Sequence, residues 1–272
     1  MIEPVEARVG VVPVRTPTLP PATHTNVWVL GDRRVTVVDP ASPYEDEQGR
    51  LLAALDGVEV ERIVLTHHHP DHVAGAWALQ RALAARGRAA PIVAHAVTAA
   101  WIGVAVDQTV GEGDALHVDG VDWTVHHTPG HAPGHVVLHQ PGAGVIVAGD
   151  MVAGVGTILI GPDDGDLGQY LASLDRLQAL GADRLLPAHG PALQHAGVVL
   201  GMYVAHRHQR TEQVRQALHR LGHAGPFELV PQVYPELAPE AAPIAALQIL
   251  AHLRWMGAHG LAAEEGGGWR LT

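Results

Sequence analysis

Apolar and polar positions recur along this chain with two periods, two residues and about three and a half, and the switches between them mark its elements. Residues 9–14 are rich in β-branched side chains and read as a strand. After a Pro-rich loop over 16–25, the runs 26–30 and 34–38 flank Gly31-Asp32-Arg33 and predict a hairpin. Helical spacing covers 47–55. The apolar triplet Ile63, Val64 and Leu65 predicts a short buried strand over 62–66, followed by a helix over about 71–86 that ends near Gly87. Another short strand covers 92–95. Strands over 121–127 and 135–139 enclose the loop 128–134, and 145–148 is an apolar strand stopped by Gly149-Asp150. The Gly-rich stretch 154–166 is long enough for a functional loop. An amphipathic helix over 167–180 and a strand over 184–186, ending at Pro187-Ala188-His189-Gly190, complete this part.

Such runs of strands, separated by mixed stretches, suit two β-sheets packed together with helices outside and polar residues at the strand ends. Beyond about residue 193 the character changes. Helical spacing over 195–221 leaves many His, Arg and Gln on the exposed side. A short helix over 226–234, an apolar helix over 241–259 and a hairpin around Gly266-Gly267-Gly268 follow. Three helices and a hairpin are the order of a winged-helix module. The expected class is α+β, with a catalytic domain over 1–200 and a winged-helix-like domain over 201–272.

Composition narrows the function. A chain of 272 residues is ample for a sizeable core. Its formal net charge is −11, its 17 basic residues are all Arg, and no basic run occurs. Duplex DNA and anionic membranes are therefore poor partners. No cysteine is present, so disulfides, thiolate metal sites and cysteine nucleophiles are excluded. The start lacks a basic, apolar leader, and no run of about eighteen apolar residues occurs. A cytoplasmic address without a membrane partner is expected.

The chemistry concentrates at Thr66-His67-His68-His69-Pro70-Asp71-His72, at the mouth of the strand over 62–66. Asp71 can cap the helix beside it. His67 and His69 alternate and can face one ion, while Asp71 and His72 can face another. His131, Asp150 and His189 each follow a predicted strand and sit beside Gly or Pro. Taken singly, each suits a cap or a core polar residue, and the cluster alone could be a His-rich turn; their joint order favours ligation. His67, His69 and His131 would then supply one ion, Asp71, His72 and His189 a second, and Asp150 would bridge both. Two aspartates against two divalent cations leave a charge of +2, or +1 with a bridging hydroxide, suited to an anionic substrate or a developing oxyanion. Metals about 4 Å apart generate hydroxide near neutral pH and polarise the scissile group. Imidazole and carboxylate without sulfur favour two Zn2+, with Mn2+ or Fe2+ as alternatives. Asp71 also orients the nucleophile. His68 is expected to point away. His135 can orient a ligand, contact substrate or serve structure. His126, His127, His206 and His208 read as ordinary polar residues, and Trp28, Trp101 and Trp123 as core.

These motifs, Thr-His-His-His-Pro-Asp-His, His127-Thr-Pro-Gly-His131, Gly149-Asp150 and Ala188-His189-Gly190, resemble the metallo-β-lactamase superfamily over roughly residues 8–200. The resemblance implies an αββα sandwich with metals at the strand edges. Asp39-Pro40-Ala41 departs from the Asp-Thr-Gly usual there and affects no metal ligand. The stretches around Leu186-Pro-Ala-His189, His206-Arg-His, Glu228-Leu-Val and Gln248-Ile-Leu-Ala-His252 resemble the lactamase-beta-like group with a C-terminal winged helix. That group is similar to a single-strand endoribonuclease and to thioesterases.

The expected function is a binuclear hydrolase of a small ester, thioester or lactone, acting through a metal-bridging hydroxide. Its C-terminal module would complete the substrate pocket and provide a homo-oligomer contact. A single-strand endoribonuclease, with single-stranded RNA as partner, is the alternative; a non-catalytic metal-binding module is a third. RNA would need basic and aromatic residues along a groove. Residues 201–272 carry six Arg (207, 210, 215, 220, 254 and 270) against six Glu (212, 228, 236, 240, 264 and 265), a balance unlike a nucleic-acid reader. β-Lactam hydrolysis fits neither the expected address nor the extra C-terminal domain.

Overall fold

Residues of alternating burial build the first sheet, whose strands are joined in chain order. In a computed structural model describing residues 1–272, strands β1 (Glu3–Glu6), β2 (Val9–Arg15), β3 (His24–Leu30) and β4 (Arg34–Val38) are antiparallel neighbours. Helix α1 (Glu45–Ala54) leads to β5 (Glu59–Leu65), and helices α2 (Pro70–Val73) and α3 (Ala76–Ala84) lead to β6 (Ile92–His95). Helix α4 (Ala96–Ile102) precedes β7 (Gln108–Val110). From β4 to β7 all pairs are parallel. Both faces of this sheet are covered, and the period of two divides each strand between them. Val27 and Val29 of β3, and Ile63 and Leu65 of β5, join Leu51 and Leu55 beside α1 and Leu79 and Leu83 beside α3. Trp28, Leu30 and Val64 face the other way.

That other face packs on a second sheet. Strands β8 (Ala115–Val118), β9 (Val121–His127), β10 (Val136–Gln140) and β11 (Val145–Gly149) form an antiparallel meander. After helix α5 (Leu167–Ala179), β12 (Arg184–Pro187) adds parallel to β11, and β13 (Leu193–Gln194) closes the edge. Trp123, Val125, Val136, Leu138, Val147 and Leu186 supply its half of the inter-sheet core. Two stacked sheets with α1 and α3 on the outer face of the first are the arrangement expected.

Contacts divide the chain into two compact units. One comprises Met1–Thr128, Gly134–Ile158 and Leu180–Gly197, and contains both sheets. The other comprises Pro129–Pro133, Leu159–Ala179 and Val198–Thr272. Within this second unit, α6 (Ala196–Leu221), α7 (Pro226–Val233), α8 (Ala242–Ala258) and the hairpin β14 (Ala262–Glu265) to β15 (Gly268–Leu271) share a core of Val214, Leu218, Leu229, Ile249, Leu253 and Trp269. Helix, helix, helix, hairpin is the predicted winged-helix order. No helix is long and apolar enough to cross a membrane.

Several local expectations change. The helix expected over 71–86 is two helices, because Gly75 lies so close to the Pro40 carbonyl that a Cβ there would stand 2.1 Å from the oxygen. Asp71 does not cap: His69 is the N-cap of α2 and Pro70 opens the helix, its missing N–H costing nothing in the first turn. Trp28 and Trp123 are core residues, but Trp101 is 49% exposed and lies against the ring of His68.

Candidate metal centre

Parallel pairing brings the C-terminal ends of neighbouring strands side by side. Val38 pairs with Val64, so Asp39 and Thr66 emerge together; Gly149 pairs with Pro187, so Asp150 and His189 emerge together. Asp39 is 2% exposed, and it organises the turn. Its Oδ1 accepts from the Thr66 backbone N–H at 2.8 Å, and its Oδ2 from the Thr66 hydroxyl at 2.6 Å and from His72 Nδ1 at 2.8 Å. The hydroxyl proton being spent on Asp39, Thr66 Oγ1 accepts from His67 Nδ1 at 3.0 Å. In their neutral forms both imidazoles therefore present Nε2 with its lone pair. The same logic fixes His189, whose Nδ1 meets the His24 carbonyl at 3.0 Å and must be the donor.

His135 holds Asp150. Its Nε2 accepts from the Asp150 backbone N–H at 3.0 Å, so its Nδ1 is protonated and donates to Thr128 Oγ1 at 2.8 Å. Gly149, at φ +49°, makes this possible: a Cβ there would stand 2.6 Å from His135 Nε2.

The fully buried His72 Nε2 has no hydrogen-bond partner. It lies 3.6 Å from Asp150 Oδ1 and 4.0 Å from Asp71 Oδ1. His189 Nε2 lies 3.5 Å from Asp150 Oδ1 and 3.5 Å from Asp71 Oδ2. His67 Nε2 faces His69 Nδ1 at 3.0 Å. Ligand atoms of His67, His72 and Asp150 lie within 4.8 Å of one another, as do those of Asp71, His72 and His189. Burial pushes the His72 pKa down, but the Asp150 and Asp71 carboxylates outweigh it and raise it well above the ordinary value. Without a metal a proton held on His72 answers these carboxylates; a divalent cation would take its place among the converging nitrogens and oxygens, so the residues present fit a divalent metal.

Six of the seven expected ligands thus gather within the first unit: His67, His69, Asp71, His72, Asp150 and His189. Asp150 reaches His67 of one expected set and both His72 and His189 of the other. His131 lies in the second unit, where its Nδ1 meets the Leu159 carbonyl at 2.7 Å. His68 lies against the Trp101 ring, with centroids 4.8 Å apart. His127 stacks on His95 with centroids 4.2 Å apart, and His126 bonds Glu112 at 3.1 Å. Sequence reasoning gave Asp39 no role, though it stands at the Asp of the family's Asp-Thr-Gly and directly ends the apolar run Val37-Val38.

Two families match this chain. Residues 20–189 match the family described as the metallo-beta-lactamase superfamily, and residues 226–269 match the beta-lactamase associated winged helix domain. A hydroxyacylglutathione hydrolase of Cereibacter sphaeroides is 36% identical over 144 residues, 52% of each chain. A beta-lactamase-like protein 2 homolog of Caenorhabditis elegans is 29% identical over 219 residues, 78% of this chain and 71% of its own. A beta-lactamase domain protein from Burkholderia ambifaria shares the fold across 100% of this chain and 93% of its own, with a TM-score of 0.88 at 23% identity.

Proposed function

Since the chain belongs to the metallo-beta-lactamase superfamily, we propose that it is a binuclear metal-dependent hydrolase of a small thioester, with esters and lactones as chemical neighbours. The observation carrying this reading is the buried, partnerless Nε2 of His72 aimed between two carboxylates. His67, His69 and His131 hold one metal, Asp71, His72 and His189 the other, and Asp150 is shared; the order of these residues in the sequence supports the inclusion of His131. Nitrogen and oxygen donors without sulfur favour zinc over manganese or iron. Two such cations, when bound, acidify a shared water and polarise the scissile carbonyl. Asp71 accepts a hydrogen bond from the attacking water and so aims it. Asp39 and Thr66 keep His72 and His67 in the ligating tautomer, and His135 keeps Asp150 in place.

Thioester substrates are favoured by the relative named a hydroxyacylglutathione hydrolase. The chain spans about half the length of that relative, so its substrate is proposed here from chemistry as well. Beside Gly190 lies a cavity of about 540 Å³ walled by Pro21, Trp28, Val155 and Pro191, with Glu3 and His24 but no Arg among its lining. That size and lining suit a small molecule rather than a polyanion.

Elemental analysis of protein purified without chelator should give close to two metals per chain. One tightly held metal with all seven ligands intact would count against the shared Asp150. A panel of thioester, ester, lactone and phosphodiester substrates on zinc- and manganese-loaded protein should show turnover of the thioester first.

The arginines of α6 bear on the nucleic-acid alternative. Arg207 is buried, Arg210 lies over the Tyr234 ring and donates to the Val233 carbonyl, and Arg215 makes a two-bonded pair with Glu212. Single-stranded RNA should therefore bind weakly to metal-substituted, inactive protein, with a shallow dependence on salt. Tight binding with a slope of several phosphate contacts, abolished when Arg210 and Arg215 are changed to Ala, would instead promote the endoribonuclease.

A further inference from the structure

In the second unit, His131 sits in the short segment Pro129–Pro133, outside any helix or strand. A carbonyl can only accept, so the 2.7 Å contact with Leu159 makes His131 Nδ1 the donor and leaves Nε2 with the lone pair. The next residue, Ile160, is buried in a loop, yet both its backbone groups are satisfied by a single side chain. Gln248, on α8, accepts from the Ile160 N–H at 3.3 Å and donates to the Ile160 carbonyl at 3.0 Å. It thus grips this residue as a neighbouring strand would.

Gln248 is itself fixed. Its Oε1 also accepts from Arg207 Nη1 at 3.4 Å, and because Arg can only donate, the amide cannot be flipped. Arg207 is 4% exposed and lies over the Tyr170 ring, 5.2 Å from its centroid. One turn beyond Gln248, His252 bonds Thr211 at 2.8 Å. Burial, reinforced by Arg207 and Arg210, pushes its pKa down to about 3, so it stays neutral beside that guanidinium.

We propose that Gln248 is a positioning residue for His131: by pinning Ile160 it holds the Leu159 carbonyl where it selects Nε2 of His131 as the metal-binding nitrogen. This inference rests on the reading of His131 as a ligand. It gives α8 of the winged-helix module a part in metal affinity without contact with the metal, and it accounts for a polar side chain at an 8% exposed position on that helix.

The test uses the full chain, freed of metal. In the unaltered protein, spectra of nitrogen-15-labelled histidine should show His131 as the Nδ1–H tautomer; the opposite tautomer would overturn the proposal at once. Gln248→Met keeps the volume and removes both bonds to Ile160 together with the one from Arg207, whereas Gln248→Glu keeps the acceptor and loses the donor. Zinc titration against a chromophoric chelator should show one of the two binding steps weakened about tenfold in Gln248→Met, with the other unchanged and a mixed His131 tautomer. Gln248→Glu should fall between it and the parent, and decides the matter alone if Gln248→Met does not fold. A merely structural glutamine would shift the melting temperature and leave both steps as they are, which would refute the role. His131→Ala separates the two ideas: it should lose one step, and if it keeps both, the ligand reading fails rather than the role of Gln248.

Discussion

Asp71→Asn is expected to lower kcat on the best thioester substrate by about 10²–10⁴-fold, the range for losing a positioned proton acceptor. Its carboxylate is 17% exposed and approaches only His72 at 4.0 Å and His189 at 3.5 Å. No buried hydrogen bond depends on the side chain, while its backbone carbonyl, which accepts from Thr25 Oγ1 at 2.9 Å, is kept in the variant. Asn has the same shape, so the melting temperature of the metal-free protein should move by no more than a few degrees. On the proposed reading, loss of the charge removes both a ligand and the acceptor that aims the water. Steady-state kinetics with metal analysis on the same preparation test this, and unchanged turnover at full metal occupancy would sink the role.

Asp39→Asn should act in the opposite proportion, through folding and metal affinity. All three partners of this carboxylate donate: the Thr66 N–H, the Thr66 hydroxyl and His72 Nδ1. An amide brings two hydrogens of its own into that ring of donors, with no solvent to absorb them. At least one buried group is left unsatisfied, a penalty of about 3 kcal/mol in unfolding free energy. If His72 responds by moving its proton to Nε2, the lone pair facing Asp150 and Asp71 is lost, and affinity for one metal should fall about 10–100-fold. Denaturant unfolding and zinc titration read the two effects separately. A variant as stable as the parent, binding two metals as tightly, would show that Asp39 does not organise the turn.

These variants divide along what the amino-acid sequence makes visible. Asp71 announces itself, because ligand-type residues gathered over 67–72 leave a compact motif. Asp39 does not, because its partners lie across the sheet and the contact arises only when β4 and β5 pair in register. His135 was open to three readings until the Asp150 N–H was found to need an acceptor. Among the elements, β9 was readable to the residue, since Trp123 and Val125 are buried and the positions beside them are more exposed. The stretch holding α4, β7 and β8 was not, because these elements are short and much of their surface is exposed, which leaves little periodicity. The break between α2 and α3 depends on the Pro40 carbonyl, which local spacing cannot report. Trp101 illustrates the same limit: an aromatic residue was assigned to the core on type alone, and its actual neighbour is a histidine ring at the surface.

The order in which strands join also carries a consequence for assembly. In the first sheet every strand pairs with its predecessor in the chain, from β1 to β7. Each pairing joins strands adjacent in sequence, through a turn or a helical crossover, so that sheet can assemble in order as the polypeptide emerges from the ribosome. The second unit is stitched from three separated segments, and Ile160 waits for Gln248 near the far end of the chain. We therefore expect maturation in two stages, a sandwich that forms early and a His131 segment that stays unfastened until α8 is made. In pulse-labelled hydrogen exchange during refolding, the amides of Val64 and Val93 should gain protection before those of Ile160 and Asp166; the reverse order would contradict it. On the proposed reading of His131 as a ligand, such a delay withholds that ligand while the chain is young, so reactivity would arrive only with the finished protein.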